Sequence, residues 1–328
     1  MFLRTFVRLF IHTQLMPILE SGEETLVGGQ AVMEGVMMRA PHSYCVAVRK
    51  PSGEVVTEEM PLPRMSEQYK IFKLPVFRGI GTLYQAMKLG FKALNFSAAA
   101  ALDDPAIPAE KRPSEKAWNG AIIANLVFGL GMFIFLYKVI PLFLVTKLAG
   151  VYPVLQGHLP NAVADGMIRM AIFLMFLYAM SRMKDIFRVF QYHGAEHKVV
   201  FNYESGKPVD VETAQQFTTY HPRCGTSFLF VLLILVIPFN ALIPFDGFAM
   251  KLICRILMLP FVVGLAYELI RFAAKRRGSF LATITAPGLW LQRITTKQPD
   301  DTQAAVAIRA LEGAMALEKA QGGELVIA

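Results

Sequence analysis

Two stretches of the chain carry no charged residue for long enough to cross a bilayer. Ala117–Tyr137 has 21 such residues and Cys224–Phe245 has 22, where a spanning helix needs about 20. Two other apolar stretches are shorter, with 12 uncharged residues between Arg169 and Arg182 and 12 between Arg255 and Glu268. If Asp165, Arg169, Arg255, Glu268 and Arg271 sit near helix ends and reach toward the headgroups, Val163–Met183 and Leu252–Phe272 become spans of ordinary length. Basic residues follow this division. Lys88, Lys92, Lys111, Arg112 and Lys116 precede the first span, and Lys275, Arg276 and Arg277 follow the fourth. Lys184, Arg188, Lys198, Lys207 and Arg223 lie between the second and third. Residues 150–166 hold no Lys or Arg and 238–251 hold one, although Lys138 and Lys147 lie just before the first of these. The positive-inside rule then puts both termini and the central loop in the cytoplasm.

Outside the spans the period changes. Ser43–Arg49 and Val55–Glu59 alternate apolar and polar residues around Pro51-Ser52-Gly53, which predicts a β-hairpin. Phe77–Phe96 places Ile80, Leu83, Tyr84, Met87, Phe91 and Leu94 at helical spacing, the mark of an amphipathic helix. Asp300 and Gln303 make a capping-box pattern before a helix to about Ala320, with Ala307, Leu311, Ala314 and Leu317 on one face. At the start, Arg4, Arg8 and His12 form a basic stripe among Phe2, Phe6, Leu9 and Phe10, which suits a membrane interface.

The expected fold is mainly α and integral to the membrane, with about four transmembrane helices. An amphipathic segment (1–17) precedes a small β-containing cytoplasmic module (18–74), then an amphipathic helix and loop (75–117). Spans one and two (118–184), a cytoplasmic loop (185–225), spans three and four (226–272) and a cytoplasmic C-terminal segment with a helix (273–328) complete it.

Composition agrees. Hydrophobic residues are 54% and charged residues 18% of the 328, with a mean hydropathy of +0.43, which excludes disorder and an ordinary soluble enzyme. The net charge of +8 follows the loops and forms no soluble basic patch, so the bilayer is the expected partner and nucleic acid is not. Three cysteines, Cys45, Cys224 and Cys254, make no disulfide framework.

The central loop carries the chemistry. It reads His193-Gly194-Ala195-Glu196-His197 and continues to His221-Pro222-Arg223-Cys224. On a helix, His193 and His197 share a face at i, i+4, so both imidazoles can bind one metal ion. The order H-x-x-E-H is that of the inverted zincins, in which the glutamate handles the proton of the attacking water. That makes Glu196 the catalytic candidate and His193, His197, His221 and Cys224 candidate zinc ligands, with Glu268 or Glu204 as a further ligand. Gly194 weakens the helix locally by roughly 1 kcal/mol relative to alanine. Simpler roles exist for each residue: interfacial histidines, a small buried cysteine, and Glu268 paired with Arg271. Four protein ligands would make the site structural, and three would leave a position open for catalysis.

The run Gly28-Gly29-Gln30-Ala31-Val32-Met33-Glu34-Gly35 is not a nucleotide loop. It reads either as backbone close to a site or as a strand and turn. Together with YHGAEHK (192–198), HPRCGTSF (221–228) and APGLWLQRITTKQPDD (286–301), the segment GGQAVMEGVMMRAP (28–41) resembles the YqhQ-like family of bacterial membrane proteins, over roughly residues 25–320. The resemblance implies a multi-span inner-membrane protein of unknown function, described as a predicted metal-dependent enzyme, with a metal centre on His193, Glu196, His197, His221 and Cys224.

The expectation is therefore a zinc-dependent hydrolase at the cytoplasmic membrane face. Its rival is a non-catalytic scaffold or regulatory protein with a structural zinc. A transporter is disfavoured because no span centre carries paired ionisable groups.

Overall fold

In a computed structural model of the chain, residues 27–63, 65–102, 115–221, 224–245, 247–275 and 280–320 are described. The N-terminal amphipathic segment lies outside them, as do Lys111, Arg112, Arg223, Arg276 and Arg277.

Four short strands, β1 (Gly28–Val32), β2 (Gly35–Arg39), β3 (Ser43–Arg49) and β4 (Val55–Pro61), form an antiparallel meander in the order β1-β2-β3-β4. The expected hairpin is β3–β4, and the glycine-rich run is its continuation, β1–β2. The reading of Ser43–Arg49 as half-polar is corrected: its residues are buried on both faces up to Val48. Side chains of successive residues point to opposite faces, and each face has its own helical cover. Val36, Met38, Cys45 and Ala47 pack against Tyr192, Ala195, Val199, Ala307, Leu311 and Ala314. Met37, Tyr44, Val46 and Val48 pack against Leu89, Ala93 and Ala100.

The covering helices are α1 (Phe77–Leu102) on one face, and α5 (Lys184–Glu204) with α11 (Asp301–Ala320) on the other. The α11 start is the expected capping box: Gln303 N–H donates to Asp300 Oδ1 at 2.8 Å, and Asp300 N–H to Gln303 Oε1 at 3.0 Å. On α1 the apolar stripe read from the sequence is only partly covered. Leu89, Ala93 and Ala100 are buried, while Tyr84, Met87 and Leu94 are exposed. A face rich in small residues fits against the sheet, while Ile80, Leu83 and Phe91 of the bulky stripe are half-buried.

The apolar helices are α2 (Glu115–Ile134), α3 (Ile140–Val151), α4 (His158–Met180), α7 (Gly225–Ala241), α8 (Phe248–Leu257), α9 (Leu259–Lys275) and α10 (Phe280–Thr295). A π-helical segment, Phe135–Val139, joins α2 to α3. Among the described residues, two helical stretches are long and apolar enough to cross a membrane, Val127–Val151 and His158–Met180. The α8–α9 pair reaches that length only as one element bent by 45°. At 17 residues, α7 is apolar but shorter. Val127–Val151 overlaps the charge-free run 117–137 and continues past Lys138, which is buried.

Burial of charge corrects a second expectation. Asp165, Arg169 and Arg255 do not reach outward from helix ends; they are buried against one another. Asp165 accepts from Arg255 Nη1 at 2.7 Å, from Arg169 Nη2 at 2.6 Å and from Asn240 Nδ2 at 3.2 Å. Arg169 Nε donates to the carbonyl of Tyr137 at 3.0 Å. Ionisable groups therefore do meet within the apolar helices, and the argument against a transporter loses its premise. Glu268 is also engaged away from the headgroup role expected of it: it pairs with Arg78.

Replacing Asp165 with Asn leaves two buried guanidiniums without a counter-charge, a change that typically costs about 3–5 kcal/mol. Thermal unfolding of the detergent-purified protein should show Asp165→Asn melting well below wild type and below Asp165→Glu. Equal melting would mean that the shared carboxylate does not hold these helices together.

Candidate metal centre

The helix α4 does not run on to the histidines. The chain breaks at Ser181–Met183, where Met183 is extended, and α5 restarts at Lys184. Tyr192, Ala195 and Val199 seat α5 on the sheet, which turns His193 and His197 toward Thr219, Cys224 and Thr295 and leaves Glu196 against Gly29 at the β1 edge. The two imidazoles lie 4.4 Å apart between ring centres.

Each imidazole is held by a backbone carbonyl. His193 Nδ1 donates to Thr295 O at 2.8 Å and His197 Nδ1 to Thr219 O at 2.5 Å. A carbonyl only accepts, so Nδ1 carries the proton and Nε2 keeps its lone pair. His193, His197 and Cys224 each offer a ligand atom within 4.8 Å of the other two; with Nδ1 taken by the carbonyls, Nε2 is the nitrogen each imidazole has left to offer. Cys224 Sγ is 3.3 Å from His193 Nε2, close to the about 3.6 Å that separates nitrogen and sulfur ligands of tetrahedral zinc. Glu196 Oε2 lies 3.9 Å from His193 Nε2 and 3.6 Å from His197 Nε2. Neutral imidazoles, a thiol and an adjoining carboxylate are a donor set that fits zinc.

His221 is near but turned elsewhere. Its ring centre is 5.5 Å from that of His197, and its Nε2 lies 3.7 Å from Glu204 Oε2. Burial lowers its imidazole to about 4; Glu196 opposes that shift and His193 adds to it. Its backbone is clamped at both ends by Gln292, which accepts from His221 N–H and donates to His221 O, each at 2.8 Å. Glu268 is not brought to the cluster: it accepts from Arg78 Nε at 2.6 Å, from Arg78 Nη2 and from Val76 N–H at 3.2 Å.

Two glycines make room for the cluster. A Cβ on Gly194 would stand 2.0 Å from Lys297 O, so the helix tolerates its weakest former because the 292–297 backbone passes directly over it. Lys297 N–H donates to Phe190 O at 2.8 Å in the same contact. A Cβ on Gly29 would stand 2.7 Å from Glu196 Cγ. The glycine-rich run is thus both a strand and a backbone pressed on the site. Glu34, in its turn, accepts from Arg188 and from the hydroxyl of Tyr192.

Lys198, Gln292 and the carbonyls of Thr219 and Thr295 were missed by sequence reasoning. Lys198 Nζ donates to Gln215 O and Phe217 O, both at 2.7 Å, and so ties down the loop that supplies Thr219 O. Burial pulls its ammonium below the ordinary lysine range. Backbone acceptors have no residue-type signal; Gln292 had one, as an amide in an apolar run.

The family described as a protein of unknown function, DUF1385, matches residues 74–317, and the chain belongs to this family. It is also similar to the uncharacterized protein YqhQ of Bacillus subtilis (strain 168), with 33% identity over 299 residues, covering 89% of this chain and 92% of that protein. No solved structure matches it. Neither description names a metal or a reaction.

Gly194→Ala should destabilise the protein by about 3 kcal/mol, the upper end of overpacking costs. Gly225→Ala, whose Cβ would meet nothing within 4 Å, serves as control. Thermal melts of both variants check this; matched melting points would show that the backbone at Lys297 yields freely.

Proposed function

We propose that the protein is a multi-pass membrane protein that binds zinc at His193, His197 and Cys224 and acts as a metal-dependent hydrolase. The observation that carries the reading is the pair of carbonyl-held imidazoles, whose Nε2 lone pairs converge with Cys224 Sγ. Three protein donors leave a fourth position, and ligand count is what separates catalytic from structural zinc. Bound there, the metal would supply an activated water. Glu196, beside both Nε2 atoms, would accept that water's proton and pass it to the leaving group. Thr295 and Thr219 hold the imidazole rings, and Gly29 keeps the carboxylate pressed toward them.

The second reading is a structural zinc in a non-catalytic scaffold, closed by His221 as fourth ligand. The nearness of its ring to His197 favours it; the turn of its Nε2 toward Glu204 favours the first.

Four crossings around this centre are part of the proposal. In this arrangement Val127–Val151, His158–Met180, α7 and the bent α8–α9 pair each cross, so that both termini and the α5 loop face the cytoplasm. The outward apolar side chains of α1 add a membrane-facing surface.

Purified wild type should carry roughly one zinc per chain, as three or four protein donors require. His197→Ala should lose it. Glu196→Gln should keep metal and fold yet fail to restore a deletion strain, and rescue by Glu196→Gln with collapse of His197→Ala would favour the structural reading. Wild type without stoichiometric metal removes both. Tags at Gly157 and Gly206 should report opposite sides of the membrane; one shared side overturns the four-crossing arrangement.

A further inference from the structure

Where α4 ends and α5 begins, an open groove of about 670 Å³ separates this junction from the C-terminal end of α10. Its polar wall is cationic: Arg182, Lys184, Arg188, Arg293 and Lys297 line it, and no carboxylate does. Only Arg188 among them is ion-paired within the described residues, to Glu34. Arg182 lies over the Tyr178 ring at 4.8 Å, which holds its guanidinium at the groove's edge. The α5 helix starts at Lys184, so the positive end of its dipole adds to the same field.

We propose that this groove binds the phosphate of an anionic lipid headgroup. Guanidiniums and ammoniums without a protein counter-ion recognise phosphate through short charge-assisted bonds. The surroundings select a lipid as its source. The groove opens at the end of a 23-residue apolar helix, Phe187 and Ile294 complete its lining, and Tyr178 and Met183 beside it are more than half exposed. Aromatic and basic side chains at a helix end are the setting in which headgroups are bound. The site is distinct from the metal cluster and does not depend on the hydrolase reading. It shares one backbone segment with that cluster: Thr295, between the groove residues Ile294 and Lys297, takes the Nδ1 proton of His193. A headgroup at Arg293 and Lys297 therefore bears on the segment that orients the histidine.

The test uses full-length protein in neutral detergent at fixed ionic strength, titrated with short-chain phosphatidylglycerol, short-chain phosphatidylcholine or inorganic phosphate. Phosphatidylglycerol should bind saturably, at least tenfold more tightly than phosphatidylcholine and a hundredfold more tightly than phosphate. Arg182→Gln/Arg293→Gln should weaken it at least tenfold while keeping the wild-type elution profile; if that variant misfolds, Lys184→Gln/Lys297→Gln is read in its place. Chelator treatment should leave this binding intact, so loss of the metal reading does not carry the groove with it. Equal binding of the two lipids, phosphate binding as tight as phosphatidylglycerol, or folded variants that bind like wild type would each overturn the proposal.

Discussion

The candidate metal centre depends on one close backbone contact, the passage of Lys297 over Gly194. Any side chain at that position would hold the 292–297 segment off the helix. With it would go the carbonyl that takes the proton of His193 and the glutamine that clamps His221. Glycine costs helix stability locally, and the contact it permits fixes the tautomer and direction of a candidate ligand. Local weakness here is the condition for tertiary order.

The small sheet has a corresponding job. It is buried on both faces, so it acts as a rigid slab between α1 and the α5–α11 pair. From one edge it presses Gly29 on Glu196, and from its first turn it holds Arg188 through Glu34. α5 is thus fixed by apolar packing on its sheet side and by backbone contacts on its histidine side. A helix held on two sides has little freedom to rotate, which is what a convergent ligand set demands.

Among the apolar helices the ordering force is of another kind. One carboxylate, Asp165, receives two guanidiniums and an amide from three helices, and Arg169 also donates to the carbonyl of Tyr137 in the π-helical segment. Taking charge out of water is expensive, and removing one partner is worse than removing all. Such a network specifies which helices are neighbours more than it stabilises them. Two guanidiniums meet one carboxylate here, an excess of positive charge, and among the described residues Arg169 Nη1 and Arg255 Nε lack hydrogen-bond partners.

By itself the sequence determined what is local or periodic. The i, i+4 histidines, the capping box at Asp300 and Gln303, the β3–β4 hairpin and the apolar helices all follow from spacing, because each is set by residues within a turn or two. Only the tertiary structure decided what depends on distant backbone. It put Cys224 with the histidine pair and left His221 beside it, gave Glu268 to Arg78, and left Tyr84, Met87 and Leu94 of α1 exposed. It also buried Asp165, Arg169 and Arg255 together, where sequence spacing had put them near helix ends. The physical reason is common to these cases: a side chain's partner is chosen by which segment passes within hydrogen-bonding distance, and hydropathy along one segment carries no record of the segment that crosses it.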